Sequence, residues 1–207
     1  MAIAALSNFT VPLASDQSAT TQGMLMPKLQ YRFRINFENF GVSTPTTELT
    51  KQVAEAFRPT VEMEEQTIDI YNSKIYMAGK AKWSVGSIKL RDDVTGQVSK
   101  LVGEQMQRQF DFFEQSTAAS AGDYKFTMRI EMLDGGNGTN TPTVLETWEL
   151  YGCFVQKAEY GTLAYKTSEP VQITLTIRFD NAVQTTGGSI GSPTSVQKVR
   201  GTSTLGS

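Results

Sequence analysis

The chain has 207 residues, 39% of them hydrophobic and 10% aromatic, which suits one packed domain with or without loose ends and is unlike a disordered polymer. A formal net charge of −2 lacks the basic footprint of a nucleic-acid binder. There is no histidine and a single cysteine, Cys153, so Ser-His-Asp and Cys-His catalysis and an internal disulfide are excluded within the chain.

The lone thiol fits a reducing compartment. The first cation is Lys28, so the charged start of a secretory signal is missing, and no apolar run approaches the roughly 18 residues of a membrane span. A soluble protein made in a cytoplasm is expected. The Asn-x-Thr triplets at Asn8 and Asn137 are then chance matches to a glycosylation sequon.

In chain order, residues 1–26 are rich in Ala, Ser, Thr and Gln with one charge, Asp16, and read as a flexible arm. The folded region is expected over 27–181. The segment LQYRFRINFENF alternates, with Leu29, Tyr31, Phe33, Ile35 and Phe37 on one side and Gln30, Arg32, Arg34 and Asn36 on the other, which predicts a half-buried strand. Thr47 to Phe57 has the spacing of a short helix (Leu49, Val53, Ala56, Phe57) stopped by Pro59.

From Val61, two extended stretches flank Asn72-Ser73 and then Ala78-Gly79, predicting a long projecting hairpin. WSVGSIKLRD is a further strand, leading to Asp92 or Asp93 as a helix N-cap. A surface helix is predicted over 94–115. Val94, Val98, Leu101, Val102, Met106, Phe110, Phe112 and Phe113 form its apolar side, and Gly96 and Gly103 weaken it by about 1 kcal/mol each.

The run from Asp123 to Asn181 reads as strands around a Gly-rich turn, with EYGTLAY among the strands. Phe126, Met128, Ile130 and Met132 share a face, as do Trp148, Leu150 and Phe154 (Gly152 leaving room), and Ile173, Leu175, Ile177 and Phe179. Opposite them lie Thr127, Arg129 and Glu131, then Thr147, Glu149 and Tyr151, then Thr174, Thr176 and Arg178. That pattern is an antiparallel sheet with one apolar and one polar side. The predicted fold is mainly β, an antiparallel sandwich or barrel with one principal flanking helix. Residues 182–207, with Gly187, Gly188, Gly191, Pro193 and Gly201 among them, read as a flexible tail. No internal repeat is present.

Candidate chemistry is sparse. The loop Asp134-Gly135-Gly136-Asn137-Gly138 lacks the Lys-Ser/Thr and helix of a phosphate loop, and Asn140 stands where a calcium repeat needs Asp; it reads as a strand-connecting turn. Ala78-Gly79-Lys80 is no phosphate loop either. Glu62, Glu64 and Glu65 are acidic neighbours without a second carboxylate constellation; they read as a solvated face, or as groups lining a conduit or meeting a neighbour's lysine. Cys153, inside a strand, reads as a structural thiol, and Trp83 and Trp148 as core or interface anchors. No catalytic, cofactor or metal site is expected.

The ordered series LDGGNG, LETWELYGCF, YGTLAY and SEPVQITLTIRFDN, preceded by YMAGKAKWSVGSIKLRDD and an amphipathic helix, resembles the major tail tube proteins of contractile-tailed bacteriophages, themselves related to type VI secretion tube proteins. The resemblance covers roughly residues 27–181. It implies a structural virion protein whose six copies form a ring with sheets joined into a continuous inner barrel. Rings would stack into a hollow tube inside a contractile sheath, with baseplate and tail terminator at the ends. DNA would pass through during ejection without specific binding.

On that reading Tyr71, Lys74, Ile75, Tyr76 and Met77 are candidates for stacking rings, because so apolar a hairpin is costly unless a partner buries it. Thr127, Glu131, Thr147, Glu149, Thr174 and Thr176 are candidates for lining the lumen, where neutral and acidic groups avoid gripping phosphates. Arg129 and Arg178 share those faces and are expected to pair with Glu131 or Glu149 across strands. The alternatives are a non-polymerising tail-completion or baseplate component, the tube of a phage-tail-like injection particle, a sugar-binding β-module and an enzyme.

Overall fold

The computed structural model describes residues 27–42, 46–136, 141–166, 168–187 and 190–191. The arm expected over 1–26, most of the tail expected over 182–207, and Asn137 to Asn140 of the Gly-rich loop lie outside the described residues. The chain divides into two units, Met1–Arg32 and Phe33–Ser207. In the first, the described residues form a turn in which the Arg32 N–H donates to the Leu29 carbonyl at 3.2 Å. The Arg32 guanidinium stands 5.4 Å from the Tyr31 ring centre. The strand predicted from Leu29 therefore starts later, and Tyr31 is exposed.

The second unit begins with β1 (Phe33–Glu38), α1 (Thr47–Gln52), β2 (Val53–Glu55), β3 (Val61–Ile70), β4 (Ser73–Trp83) and β5 (Gly86–Arg91). Next come α2 (Gln97–Gln109), the short β6 (Phe110–Asp111) and β7 (Ser116–Thr117), α3 (Ala121–Tyr124) and β8 (Phe126–Leu133). The sixteen-residue β9 (Val144–Glu159), β10 (Gln172–Arg178) and β11 (Asn181–Thr186) complete it. Among the described residues seven strands form one sheet in the order β1-β8-β9-β10-β5-β2, with β11 also beside β9, while β3 and β4 pair only with each other. All pairings are antiparallel. The fold is mainly β, as the alternation predicts, and the sheet stays open instead of closing into a barrel.

The core forms where the apolar faces meet the helices. Ile35, Ile88, Leu90, Phe126, Met128, Leu150, Ile173, Leu175 and Ile177 are buried with Leu49 of α1 and Val98, Leu101 and Val102 of α2. Each such side chain stabilises the fold by about 1.5–3 kcal/mol. Glutamine amides fix α2 in place. Gln105, fully buried, accepts from the Gly41 N–H at 3.0 Å and donates to the Tyr124 carbonyl at 2.7 Å. Gln109 donates to the Val155 carbonyl at 2.8 Å and accepts from its N–H at 2.9 Å. The pairing of β8 with β9 stops at Phe126–Cys153, so this amide takes the place of the strand that is missing beside Val155.

The helix predicted over 94–115 is shorter at both ends. Gly96, left-handed (φ 68°), is the N-cap in place of Asp92 or Asp93, and Asp93, three residues before it, accepts from the Gln97 N–H at 3.0 Å. At the far end Phe110 turns extended and β6 pairs with β7. Val94, Phe112 and Phe113 are thus exposed and off the docking stripe. The helix predicted over 47–57 ends at Gln52, because Val53 meets Leu90 at the border of β5 and Glu55 reaches Lys89 Nζ at 2.8 Å. The β-branched Val53 favours the strand.

Phe154 leaves the face it shares in sequence with Trp148 and Leu150. Gly152 (φ 66°) inserts one extra residue opposite β8, whose Met128 faces Leu150 while Phe126 faces Cys153. This bulge flips the alternation, so Cys153 and Val155 enter the core and Phe154 is half-buried. EYGTLAY is not a strand: β9 ends at Glu159, and the next strand begins at Gln172. The tail expected from residue 182 opens with β11 instead, whose Ala182 and Gln184 are buried against β9.

Candidate functional site

Surfaces dominate this molecule. The first is the ribbon of β3 and β4. Every residue from 62 to 78 is exposed, and the turn at its tip places Tyr71 in a left-handed conformation (φ 42°), 100% accessible. The five stacking candidates, Tyr71, Lys74, Ile75, Tyr76 and Met77, all fall at this end. Cross-strand pairing of Ile68 with Ile75 and Gln66 with Met77 puts Ile68, Ile70, Ile75 and Met77 on one face. Glu65, Thr67, Asp69, Lys74 and Tyr76 take the other. The turn occupies Tyr71 and Asn72, and Ala78-Gly79 lies at an irregularity within β4 and makes no second turn.

The second surface is the polar side of β1, β8 and β9. Arg34 pairs with Glu131 at 2.6 Å, and its strand register sets the two residues opposite each other. Arg129 lies opposite Glu149, with Nε 3.1 Å from the carboxylate, and also reaches Glu38 at 3.5 Å. The Tyr151 hydroxyl donates to Glu149 at 2.5 Å, which raises the phenol's pKa. The expected Arg129–Glu149 pair is present, whereas the partner of Glu131 is Arg34. Thr127, Glu131, Thr147 and Glu149 are brought together here, but Glu131 and Thr147 are buried and face solvent less than the alternation suggests. Thr174 and Thr176 sit apart on β10, opposite Glu159 and Lys157 of β9 and Lys89 and Ser87 of β5.

One carboxylate escapes the sequence reading. Glu146 shares the parity of Trp148 and Leu150 and is buried on the apolar side. It accepts from Trp148 Nε1 at 2.6 Å and from Arg58. Its signal was that parity, in L-E-T-W-E-L.

Chemical machinery is thin. Burial pushes the Cys153 thiol up to about 12, and the thiol donates to the Leu150 carbonyl at 3.4 Å, the state of an inert core cysteine. Asp134 accepts from the N–H groups of Gly136 (3.1 Å) and Thr143 (2.9 Å), which lowers its pKa and makes it a turn residue. A cleft of about 640 Å³ lies under the loop after β9, lined in part by Tyr160, Leu163, Tyr165, Glu169 and Val171. Among the described residues no cluster of three or more His, Cys, Asp or Glu side chains is placed to hold a metal, and no helix is long and apolar enough to cross a membrane.

No family model matches the chain, and no curated protein matches it. Solved structures do. A chain of the anti-feeding prophage baseplate structure matches with a TM-score of 0.59 and 14% identity, over 79% of this chain and 99% of that one. A chain of the anti-feeding prophage cap, which terminates the tube, matches with a TM-score of 0.55 and 14% identity over 85% and 99%. A chain of the sheath/tube terminator structure of the PVC extracellular contractile injection system matches with a TM-score of 0.55 and 12% identity over 78% and 99%. The protein has the fold of components of contractile injection particles, and the sequence resemblance pointed to that fold.

Proposed function

We propose that this chain is a structural, self-assembling protein of a contractile tail, whose copies form six-membered rings stacked into the hollow inner tube. The observation that carries the proposal is an open seven-stranded sheet beside a free-standing ribbon with an apolar face. Such unpaired borders are an association hazard in a monomer and an asset in a polymer. The fold shared with contractile-particle components supports it. In this reading the tip of the ribbon packs on the next ring and the sheath surrounds the tube. Baseplate and terminator close its ends, and DNA passes through a lumen lined by the polar face, with assembly in the host cytoplasm.

Negative-stain microscopy of the purified chain tests this. Rings and tubes are expected, and Ile75→Asp shortens or abolishes them. A strictly monomeric protein at high concentration, even on a seeding template, overturns the reading. A tube-ending component is the second reading, favoured by the cap and terminator structures among the matches; single rings that never stack would select it.

A further inference from the structure

The ribbon is polarised in charge. Strand β3 carries four carboxylates, Glu62, Glu64, Glu65 and Asp69, and no cation. Strand β4 carries three lysines, Lys74, Lys80 and Lys82, and no carboxylate. Among the described residues one ion pair forms inside the ribbon, Lys74 to Asp69 at 3.4 Å. Among the described residues neither strand has a further neighbour, so each presents an unpaired border, one acidic and one basic. A two-stranded ribbon exposed on both faces is marginal in water, and this one keeps Ile68, Ile70, Ile75 and Met77 on a single face.

We propose that ribbons of neighbouring copies pair side by side, the acidic β3 border of one against the basic β4 border of the next. This rests on the reading that the chain self-assembles, and adds which strands meet and what orders them. Contact between two like borders sets acid against acid or lysine against lysine, and like charges facing across strands repel. A symmetric dimer through the ribbons is thereby disfavoured.

The unlike contact is head-to-tail, and such contacts close into a ring or extend as a filament. Its geometry follows from the ribbon itself. Because β3 and β4 run antiparallel, copies related by rotation and pointing the same way set β4 of one antiparallel to β3 of the next. The added strand satisfies the border N–H and C=O groups. The isoleucine faces of successive ribbons then merge into one apolar band.

The test uses full-length chains. One variant carries E62K, E64K and E65K, which leaves both borders basic, and another carries K74E, K80E and K82E, which leaves both acidic. Neither touches the core, and far-UV circular dichroism with a thermal melt checks that each stays folded. Each alone is expected to lose assembly by about tenfold or more in a sedimentation assay, as several favourable pairs become repulsive. An equimolar mixture of the two, and a chain carrying all six changes, regain it. Wild-type assembly that weakens as salt rises also supports the pairing, since exposed charges are screened. Variants that assemble like the wild type, or a mixture that stays unassembled, overturn the pairing and leave the tube reading standing. A monomeric wild type overturns both.

Discussion

Gly152 sets the parity of the longest strand, so replacing it tests how the core is built. Its φ of +66° is left-handed, and an added Cβ would sit 2.2 Å from Asp180 Oδ2 and 2.8 Å from Asp180 Cγ. The left-handed conformation costs a non-glycine residue about 1–2 kcal/mol. Relieving the clash means swinging the Asp180 carboxylate away from Lys125 Nζ, now 2.5 Å away. Asp180 is largely exposed in that pair, so losing it costs about 0–1 kcal/mol. Gly152→Ala is therefore expected to destabilise by about 1–3 kcal/mol, a fall in melting temperature of about 2–4 °C per kcal/mol for a chain of this size. Urea unfolding followed by tryptophan fluorescence measures it. Gly152→Ala/Asp180→Ala removes the clash but keeps the backbone cost, so relative to Asp180→Ala alone the glycine change should cost about 1–2 kcal/mol. A Gly152→Ala protein as stable as the wild type would refute the bulge as the origin of the parity switch.

Gly103→Ala is the same change with the opposite sign: Gly103 is interior to α2, and apart from its chain neighbours and the helix's own nearby backbone nothing lies within 4 Å of where its Cβ would stand, so a gain of about 0.5–1 kcal/mol is expected in urea unfolding. Gln105→Leu keeps the bulk but strands the Gly41 N–H and the Tyr124 carbonyl, and should cost about 2–6 kcal/mol at about 1–3 per group, read as an earlier unfolding midpoint. The hydroxyl of Thr95, then the N–H groups of Val98 and Gln97, hold the Asp93 carboxyl below the usual carboxylate range. Its folded pKa is depressed, so its contribution is present above the unfolded value and lost as pH falls through the folded one. The stability gap between wild type and Asp93→Asn should accordingly narrow as pH falls below about 5, through the ordinary aspartate value of about 3.9 and beyond it.

The strands that were legible are those whose alternation answers to one buried face. In β10, and in β8 from Phe126 to Glu131, each inward position is apolar and each outward one polar or charged, and parity alone places them. Parity failed where a single backbone event resets it, and in β9 the one sign of that event is a glycine between Tyr151 and Cys153. It failed again where propensity was outvoted. Val53 to Glu55 continue a helical spacing, yet the open border of β5 offers hydrogen bonds that an isolated turn of helix cannot match. The start of α2 was misplaced because Asp93 reaches the Gln97 N–H across a left-handed Gly96, which is the N-cap. The strand β11 hid in a polar composition: its inward residues are Ala182 and Gln184, which no hydrophobic pattern would select.

The candidate surfaces divide along the same line. The ribbon was visible because its apolar residues have nowhere to go inside this chain, and register then added what sequence order conceals, that they share one face. The polar face was visible as a set of outward positions, but its electrical character was not. Read one by one, Arg34 and Arg129 are cations a phosphate backbone would seek. In place, each lies against a carboxylate on the adjoining strand, Glu131 and Glu149. A wall whose cations are already engaged offers a passing polyanion few counterions to release, and that release supplies most non-specific affinity for DNA. The pairing thus gives the proposed conduit a physical basis that the net charge of −2 does not. Removing both partners of Arg129 tests it: Glu38→Ala/Glu149→Ala frees that guanidinium, and tubes of that variant should retain duplex DNA at low salt where wild-type tubes do not, measured by co-sedimentation. Equal retention by both would remove the polar face from the lumen.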